Sequence, residues 1–352
     1  MKGNSGARTA YVGLSGGVDS AVSAALLARQ GYRVVGAFIR ISLEGYPCTA
    51  GQDRIDAMRA AAHLGIPFRE VDLSREYRER VFAESMREFS EGRTPNPDAL
   101  CNREIKFGLF FEWARAQGAD VVATGHYAQT KDGLLFEGAD PGKDQSYFLW
   151  AVPQEALART LFPVGGMQKP RVRALARKLG LPNAARKDSQ GLCFLGPVSL
   201  SDMLKKELHP APGAVLSEAG EVIGAHQGAA LYTMGQRHGF SLKAQGPSAA
   251  PLYVIGKDAR ANTITVSERR FPAGAARTEL VLSDANWIGP VENGPCLARY
   301  RYRQELIGAE LDAQAGTVTL MEPHYAPPGQ SLVAYKHGRC LGGGVIREVR
   351  VY

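Results

Sequence analysis

Three short stretches of this sequence carry residues whose types and spacing could do chemistry. The first, Gly13-Leu14-Ser15-Gly16-Gly17-Val18-Asp19-Ser20, follows the apolar run Ala10-Tyr11-Val12. It opens a segment with apolar residues at Val18, Ala21, Val22, Ala25 and Leu26, the spacing of one helix face. Strand, glycine turn and helix N-terminus together make a phosphate site. Glycine lets the backbone approach an anion closely, and the helix dipole puts partial positive charge where phosphates would lie. Ser15 and Ser20 can donate hydroxyls, and Asp19 can hold Mg²⁺ against phosphate oxygens. The loop matches neither the G-x-x-x-x-G-K-[ST] nor the G-x-G-x-x-G phosphate pattern.

The second stretch is Arg93-Thr94-Pro95-Asn96-Pro97-Asp98-Ala99-Leu100-Cys101-Asn102. Two prolines stiffen a loop that enters a helix through Ile105, Leu109, Phe110 and Trp113. Cys101, in or near the first helical turn, is expected to have its pKa lowered by the dipole, with Asp98 near enough to shuttle a proton. The alternative is a buried structural cysteine behind a helix cap. The third stretch, Asp188-Ser189-Gln190-Gly191-Leu192-Cys193-Phe194-Leu195-Gly196, has glycines on both sides of a cysteine, which suggests a mobile loop able to bring Cys193 to Cys101. Cys48, Cys296 and Cys340 have no comparable surroundings and are expected to be structural.

The elements that must position these residues alternate. A strand is expected over 34–39, a helix through Ile55, Met58 and Ala62, a strand over 68–71, a long helix from Ser74, and a strand over 119–124 that runs into Gly125-His126-Tyr127. The alternation predicts an α/β fold, a doubly wound parallel sheet, with ligands beyond the carboxyl ends of the strands, where the glycine loop, Ile39 and Gly125 all fall. The pattern weakens past residue 200, and Pro210-Ala211-Pro212-Gly213 reads as a linker. From about Arg277, short strands between turns suggest a compact β-barrel. The expected units are a catalytic domain over 1–200, a small central domain over 201–270 and a barrel over 271–352.

The chain has 352 residues, 45% hydrophobic and 22% charged, with 42 Lys and Arg against 35 Asp and Glu. The net charge of +7 favours a polyanionic partner such as RNA. No apolar run approaches the ~20 residues of a membrane span, and the first residues lack a signal-peptide core, so a cytoplasmic protein is expected. Five cysteines without a C-x-x-C pair do not make a disulfide framework or a zinc ribbon. Arg299-Tyr300-Arg301-Tyr302-Arg303 alternates as a strand would, with arginines on one face for phosphates and tyrosines on the other for stacking, or with tyrosines in a core. Lys169, Arg171, Arg173, Arg177 and Lys178 are expected to form a solvated helix face, with contact to an RNA stem as the alternative.

S-G-G-x-D-S after a strand resembles the pyrophosphate (PP) loop of the N-type ATP pyrophosphatases, whose fold is the adenine nucleotide α-hydrolase type. More motifs extend the resemblance over nearly the whole chain: S-G-G-V-D-S at 15–20, T-P-N-P-D-A-L-C-N at 94–102, A-T-G-H-Y at 123–127, K-D-Q-S-Y-F-L at 143–149, G-L-C-F-L-G at 191–196, T-M-G-Q-R at 233–237 and C-L-G-G-G at 340–344. In this order they resemble the bacterial tRNA-specific 2-thiouridylase family. The resemblance implies ATP-dependent thiolation of the wobble uridine, position 34, in tRNA anticodon stem-loops of the Glu, Gln and Lys type, with sulfur from a persulfide donor protein. It also implies that Cys101 is the nucleophile, that Cys193 carries the persulfide and joins Cys101 in a transient disulfide, and that Asp98 is the general acid/base. Gly13 to Ser20, Ile39 and Gly125 would bind the nucleotide, with Asp19 on Mg²⁺. Thr94, Pro95 and Asn96 would contact the target base, and His126, Lys143, Asp144, Gln145, Arg301, Tyr302 and Gln330 the tRNA. For His126 a satisfied core histidine is the alternative. A monomer is expected. Asp98, Cys101 and Cys193 could equally ligate a [4Fe–4S] cluster with one open iron site, and the sequence does not separate that route from a persulfide alone. Ile39 stands where the family pattern has methionine against adenine, and residues 41–47 are fewer and less acidic than expected. The competing classes are an amidating or lysidine-type ligase on the same loop and a non-catalytic RNA-binding module.

Overall fold

The computed structural model describes residues 6–46, 50–188, 193, 194, 196, 198–243 and 250–352. Its amino-terminal half is built on five parallel strands, β1 (Thr9–Gly13), β2 (Arg33–Arg40), β3 (Phe68–Asp72), β4 (Val121–Ala123) and, after a hairpin β5 (Ala128–Lys131) and β6 (Leu134–Glu137), β7 (Thr160–Leu161). They lie in the order β3-β2-β1-β4-β7. Both faces are covered, which is why the central strands read as continuous apolar runs. Ala10 and Val12 face Ala24 and Leu27 of helix α1 (Val18–Arg29) and Ala57 and Ala61 of α2 (Ala50–His63). Tyr11, between them, faces Val81, Ile105 and Phe110 on the opposite side.

That opposite side carries two longer helical runs. One passes through Ser74–Tyr77, Arg78–Phe82 and Ala83–Ser90, the other through Pro97–Cys101, Asn102–Leu109 and Phe110–Ala116. The middle part of each is π-helical, a local widening that recurs at functional sites. The strand order reverses between β2 and β4 on either side of β1, so the crevice at the carboxyl ends of β1 and β4 is the place for a ligand.

A second sheet, β8 (Gly213–Leu216), β9 (Val222–His226), β10 (Phe240–Leu242), β11 (Tyr253–Asp258) and β12 (Thr263–Ser267), has its own core of Val215, Tyr232, Val254, Ile264 and Val266. The helix Leu200–Leu208 before it is capped by Ser199, whose hydroxyl accepts from the Asp202 amide at 3.0 Å. It inserts Met203 into the core of the parallel-sheet domain.

The third sheet runs β13 (Thr278–Trp287), β16 (Thr317–Leu320), β15 (Ile307–Asp312), β14 (Gly294–Arg299), β17 (Ser331–Lys336) and β18 (Arg339–Val351), and β13 pairs with β18 to close a six-stranded barrel. The amino-terminal hairpin extends this sheet, with Leu135 opposite Cys340 and Phe136 opposite Arg339. Cys296 and Cys340 are buried, and burial pushes their thiols up to about 11 and about 12, as befits structural cysteines. Cys48 lies outside the described residues.

The alternating run at 299–303 departs from the expected strand. β14 ends at Arg299, Gln304 N donates to Arg301 O at 3.2 Å, and Arg303 has φ +61°, so the chain turns. Arg299 and Tyr300 are buried, Arg301 is exposed, and Tyr302 and Arg303 reach the crevice. Arginines and tyrosines therefore do not segregate to two faces.

Candidate active site

The glycine loop joins β1 to α1 as expected. Gly16 has φ +77°, and a Cβ there would lie 2.5 Å from the Asp53 carbonyl oxygen, so this turn accepts only glycine. The Asn183 amide donates to the carbonyls of Gly16 and Gly17 at 2.8 and 3.0 Å, and Ser20 Oγ accepts from Ser15 N at 3.2 Å. Arg186 ties the loop to α2 by pairing with Asp53 and, at 2.7 Å, with Asp56. Gly125, just past β4, packs on the start of α1, where a Cβ would stand 2.6 Å from Ser20 N.

Beyond these strand ends lies a cavity of about 610 Å³, lined by the loop, by Ile39 and Gly125, and by side chains from every layer of the domain. Its floor is strongly charged. Lys169 Nζ sits 2.7 and 2.8 Å from the two Asp19 oxygens and 2.8 Å from Asp188, and Tyr127 Oη donates to Asp19 at 2.8 Å. Lys143 and Arg173 also reach Asp188, at 2.7 and 2.5 Å. Burial opposes ionisation of Asp188, but Lys143 and Lys169 outweigh it and hold the carboxyl at about 2. The basic run at 169–178 is thus a solvated face only in part: Arg171, Arg177 and Lys178 are exposed, but Lys169 is buried and Arg173 is committed to Asp188.

At the far end of the cavity the structure brings the two candidate cysteines together as free thiols, hydrogen-bonded to one another. Asn96 caps the helix by accepting from Ala99 N at 3.2 Å, and Pro97 begins it. Asp98, Asn102 and Lys106 then follow at four-residue intervals along one face, and all three line the cavity. Cys101 lies beneath that face with no exposed surface. Cys193 is held from both sides: its N–H donates to Asp98 Oδ1 at 3.2 Å, and its carbonyl accepts from Tyr77 Oη at 2.9 Å. Residues 189–192, where the mobile loop is expected, lie outside the described residues.

The ionisation of the pair reverses the expectation for Cys101. Burial pushes its thiol well up, and its hydrogen bond to Cys193 adds to this. Cys101 is the fifth residue of its helix, past the unpaired amides of the first turn, so the dipole cannot compensate. Cys193 is instead lowered to about 7, first by the proton Cys101 donates and then, against burial, by Lys106. Burial raises the Asp98 carboxyl, which Lys106 partly opposes. His126 is held well below its usual range by burial and by the Lys106 charge, so it is neutral. Its Nδ1 lies 2.7 Å from Thr124 Oγ1 and its Nε2 3.4 Å from Lys106 Nζ.

The remaining candidates divide. Lys143, Gln145, His126 and Tyr302 line the same cavity. Thr94, Pro95 and Asn96 are at the domain junction, where Thr94 N donates to Pro328 O at 2.8 Å and Gln330 Nε2 to Pro95 O at 3.4 Å. Asp144 departs from its expected place in an RNA-facing surface. It is buried and paired with Arg299, and it accepts from Gly138 N at 2.9 Å and from Ser146 N at 3.1 Å. Sequence reasoning missed Lys106, Lys169, Asn183 and Asp188. The signal for Lys106 was its four-residue spacing from Asp98 and Asn102. The residues do not fit a [4Fe–4S] cluster: the Lys106 ammonium acts on both sulfurs, and among the described residues no three metal-binding side chains are placed to hold one ion.

Family models match three consecutive segments: a tRNA methyl transferase HUP domain at 8–197, a tRNA methyl transferase PRC-barrel domain at 201–268 and an aminomethyltransferase beta-barrel domain at 277–346. Proteins named tRNA-specific 2-thiouridylase MnmA from Hahella chejuensis and Geobacillus thermodenitrificans are 45% and 42% identical to this chain. The first match spans 96% of this chain and 97% of the relative, the second 96% and 94%. Among solved structures, the NMN synthetase of Francisella tularensis is 19% identical over 57% of this chain and 73% of its own, with a TM-score of 0.36. With full-length identity at this level to proteins of that name, the chain belongs to the tRNA-specific 2-thiouridylase family.

Proposed function

We propose that the protein is an ATP-dependent tRNA sulfurtransferase that converts the wobble uridine at position 34 to 2-thiouridine. The observation that carries this reading is the Cys193 thiol and the half-buried Asp98 carboxyl in one cavity with a phosphate-binding loop, with the Cys101 thiol paired to Cys193 just beneath the cavity wall. Residues 1–200 are read as the catalytic unit and 271–352 as an RNA-contacting barrel, with 201–270 between them.

Residues 13–20, with Gly125, would take the β and γ phosphates, and Ile39 would pack against adenine. Asp19 is the only carboxylate in that loop, and it would hold a Mg²⁺ there, an ion that would offset charge on the leaving pyrophosphate. Lys169, now on Asp19, would turn to the phosphates. Uridine O2 attacks the α phosphorus and pyrophosphate leaves, which makes O2 a good leaving group. Cys193 is loaded beforehand: its thiolate attacks the outer sulfur of a donor persulfide, the donor S–S bond breaks, and a donor thiolate departs. The outer sulfur of the Cys193 persulfide then attacks C2 and AMP leaves. Cys101, deprotonated by Asp98, attacks Cys193 Sγ and releases the 2-thiouridine sulfur. The resulting Cys101–Cys193 disulfide takes two electrons from an external thiol before the next cycle.

Unmodified tRNA incubated with protein, ATP and a low-molecular-weight persulfide with its parent thiol as reductant, then digested to nucleosides, should show 2-thiouridine by mass, and none when ATP is omitted. Absence of the thionucleoside with folded protein and bound tRNA overturns the reading. Gly125→Ala should raise the Kd for ATP by at least about tenfold in calorimetry, because the new methyl must displace the backbone at Ser20 rather than a flexible side chain. Unchanged ATP affinity would remove this loop from the nucleotide site.

A further inference from the structure

Lys106 lies on no stretch that sequence reasoning selected, yet it is the ammonium group that meets both sulfur chemistry and the cavity. Its Nζ shares the cavity wall with Cys193 and interacts with that sulfur, lies 3.4 Å from His126 Nε2, and sits 5.7 Å from the centre of the ring of Phe194, the next residue along. His126 is oriented by Thr124 at 2.7 Å and by ring contacts with Phe107 and Phe162. With its Nδ1–H donated to Thr124, the imidazole offers Lys106 a lone pair at Nε2. The lysine is thus fixed by a neutral acceptor on one side and left with protons for the sulfur on the other.

We propose that Lys106 is a catalytic residue, the counter-ion that keeps the Cys193 sulfur anionic when it accepts and delivers sulfur. This deepens the sulfurtransferase reading and rests on it for the identity of the transferred atom, but the charge pairing itself needs neither ATP nor tRNA. Among the described residues, the groups facing the sulfur pair are Asp98 and Lys106 from the same helix and Tyr77 from the neighbouring helix, with His126 from the turn after β4 behind Lys106. Of these, Lys106 is the one cation. Burial opposes its charge, but the two sulfurs and Asp98 outweigh that and hold it above the usual lysine range. Asp98 acts oppositely, since a second negative charge beside the sulfurs disfavours a thiolate. Cys101 also favours the Cys193 thiolate by donating its proton, so two causes compete and the experiment separates them.

The test is alkylation of the protein alone with iodoacetamide from pH 5 to 10, with peptide mass mapping at both cysteines. In the wild type, Cys193 should react with a midpoint near 7 while Cys101 stays protected. In Lys106→Met the Cys193 midpoint should rise by at least about one unit, an approximately tenfold slower reaction at neutral pH, and Lys106→Arg should restore it. A Lys106→Met profile superimposed on the wild type overturns the proposal and leaves the Cys101 hydrogen bond as the cause. Lys106→Gln serves where methionine does not fold, judged by near-ultraviolet circular dichroism, and its profile is read the same way. Because the measurement is made without substrate, failure of the nucleoside assay and failure of this proposal are distinguishable.

Discussion

Cys193→Ser should bring 2-thiouridine formation down to background while tRNA retention changes by less than about twofold, the scale of a substitution that removes no binding contact. A serine oxygen cannot accept a sulfane sulfur, because the reaction needs a thiolate able to form and break an S–S bond at neutral pH. The substitution is close to isosteric, and the backbone contacts that seat the residue, N–H to Asp98 at 3.2 Å and carbonyl to Tyr77 at 2.9 Å, do not involve sulfur. ATP-dependent pyrophosphate release in the presence of tRNA should therefore survive, uncoupled from sulfur transfer. Two measurements check this: thionucleoside mass analysis and filter retention of labelled tRNA. More than a tenth of wild-type thiolation in the variant would show that sulfur does not pass through Cys193.

Asp144→Leu should be the most destabilising of the simple substitutions. Asp144 is 4% and Arg299 7% exposed, and the pair is knitted into Tyr335 and Ser146: Arg299 Nη2 donates to Tyr335 Oη at 2.9 Å and Ser146 Oγ to Asp144 at 3.0 Å. Removing the carboxylate leaves the guanidinium buried, with Glu137 at 3.6 Å as its remaining anion. Breaking such a buried pair costs about 3–5 kcal/mol, more than the exposed pairs of the surface contribute. The network joins the parallel-sheet domain to the barrel, so the loss should appear as a lower urea midpoint. Asp144→Asn, which keeps an acceptor for the Gly138 and Ser146 amides, should lose less. tRNA affinity per folded molecule should be unchanged in both. A variant of full stability but weakened tRNA retention would instead place Asp144 at the RNA, where the family resemblance puts it.

By itself the sequence determined what depends on near neighbours along the chain. The glycine loop between a strand and a helix, the apolar runs of a sheet covered on both faces, and the capped helix behind Asn96 are all set by residues within a turn or two of one another. The barrel was legible as short strands between turns, and the two reactive cysteines from their surroundings. Only the tertiary structure decided which sulfur carries the charge. The helix position of Cys101 argued for a thiolate there, but burial and the hydrogen bond between the two thiols reverse the order. The same holds for Lys169, which a basic helix would show to solvent and which instead pairs with Asp19, and for the hairpin at 128–137, which joins a sheet formed at the other end of the chain. Ionisation and pairing are set by distance in space and by loss of water, and neither is written in the spacing of residues along one segment.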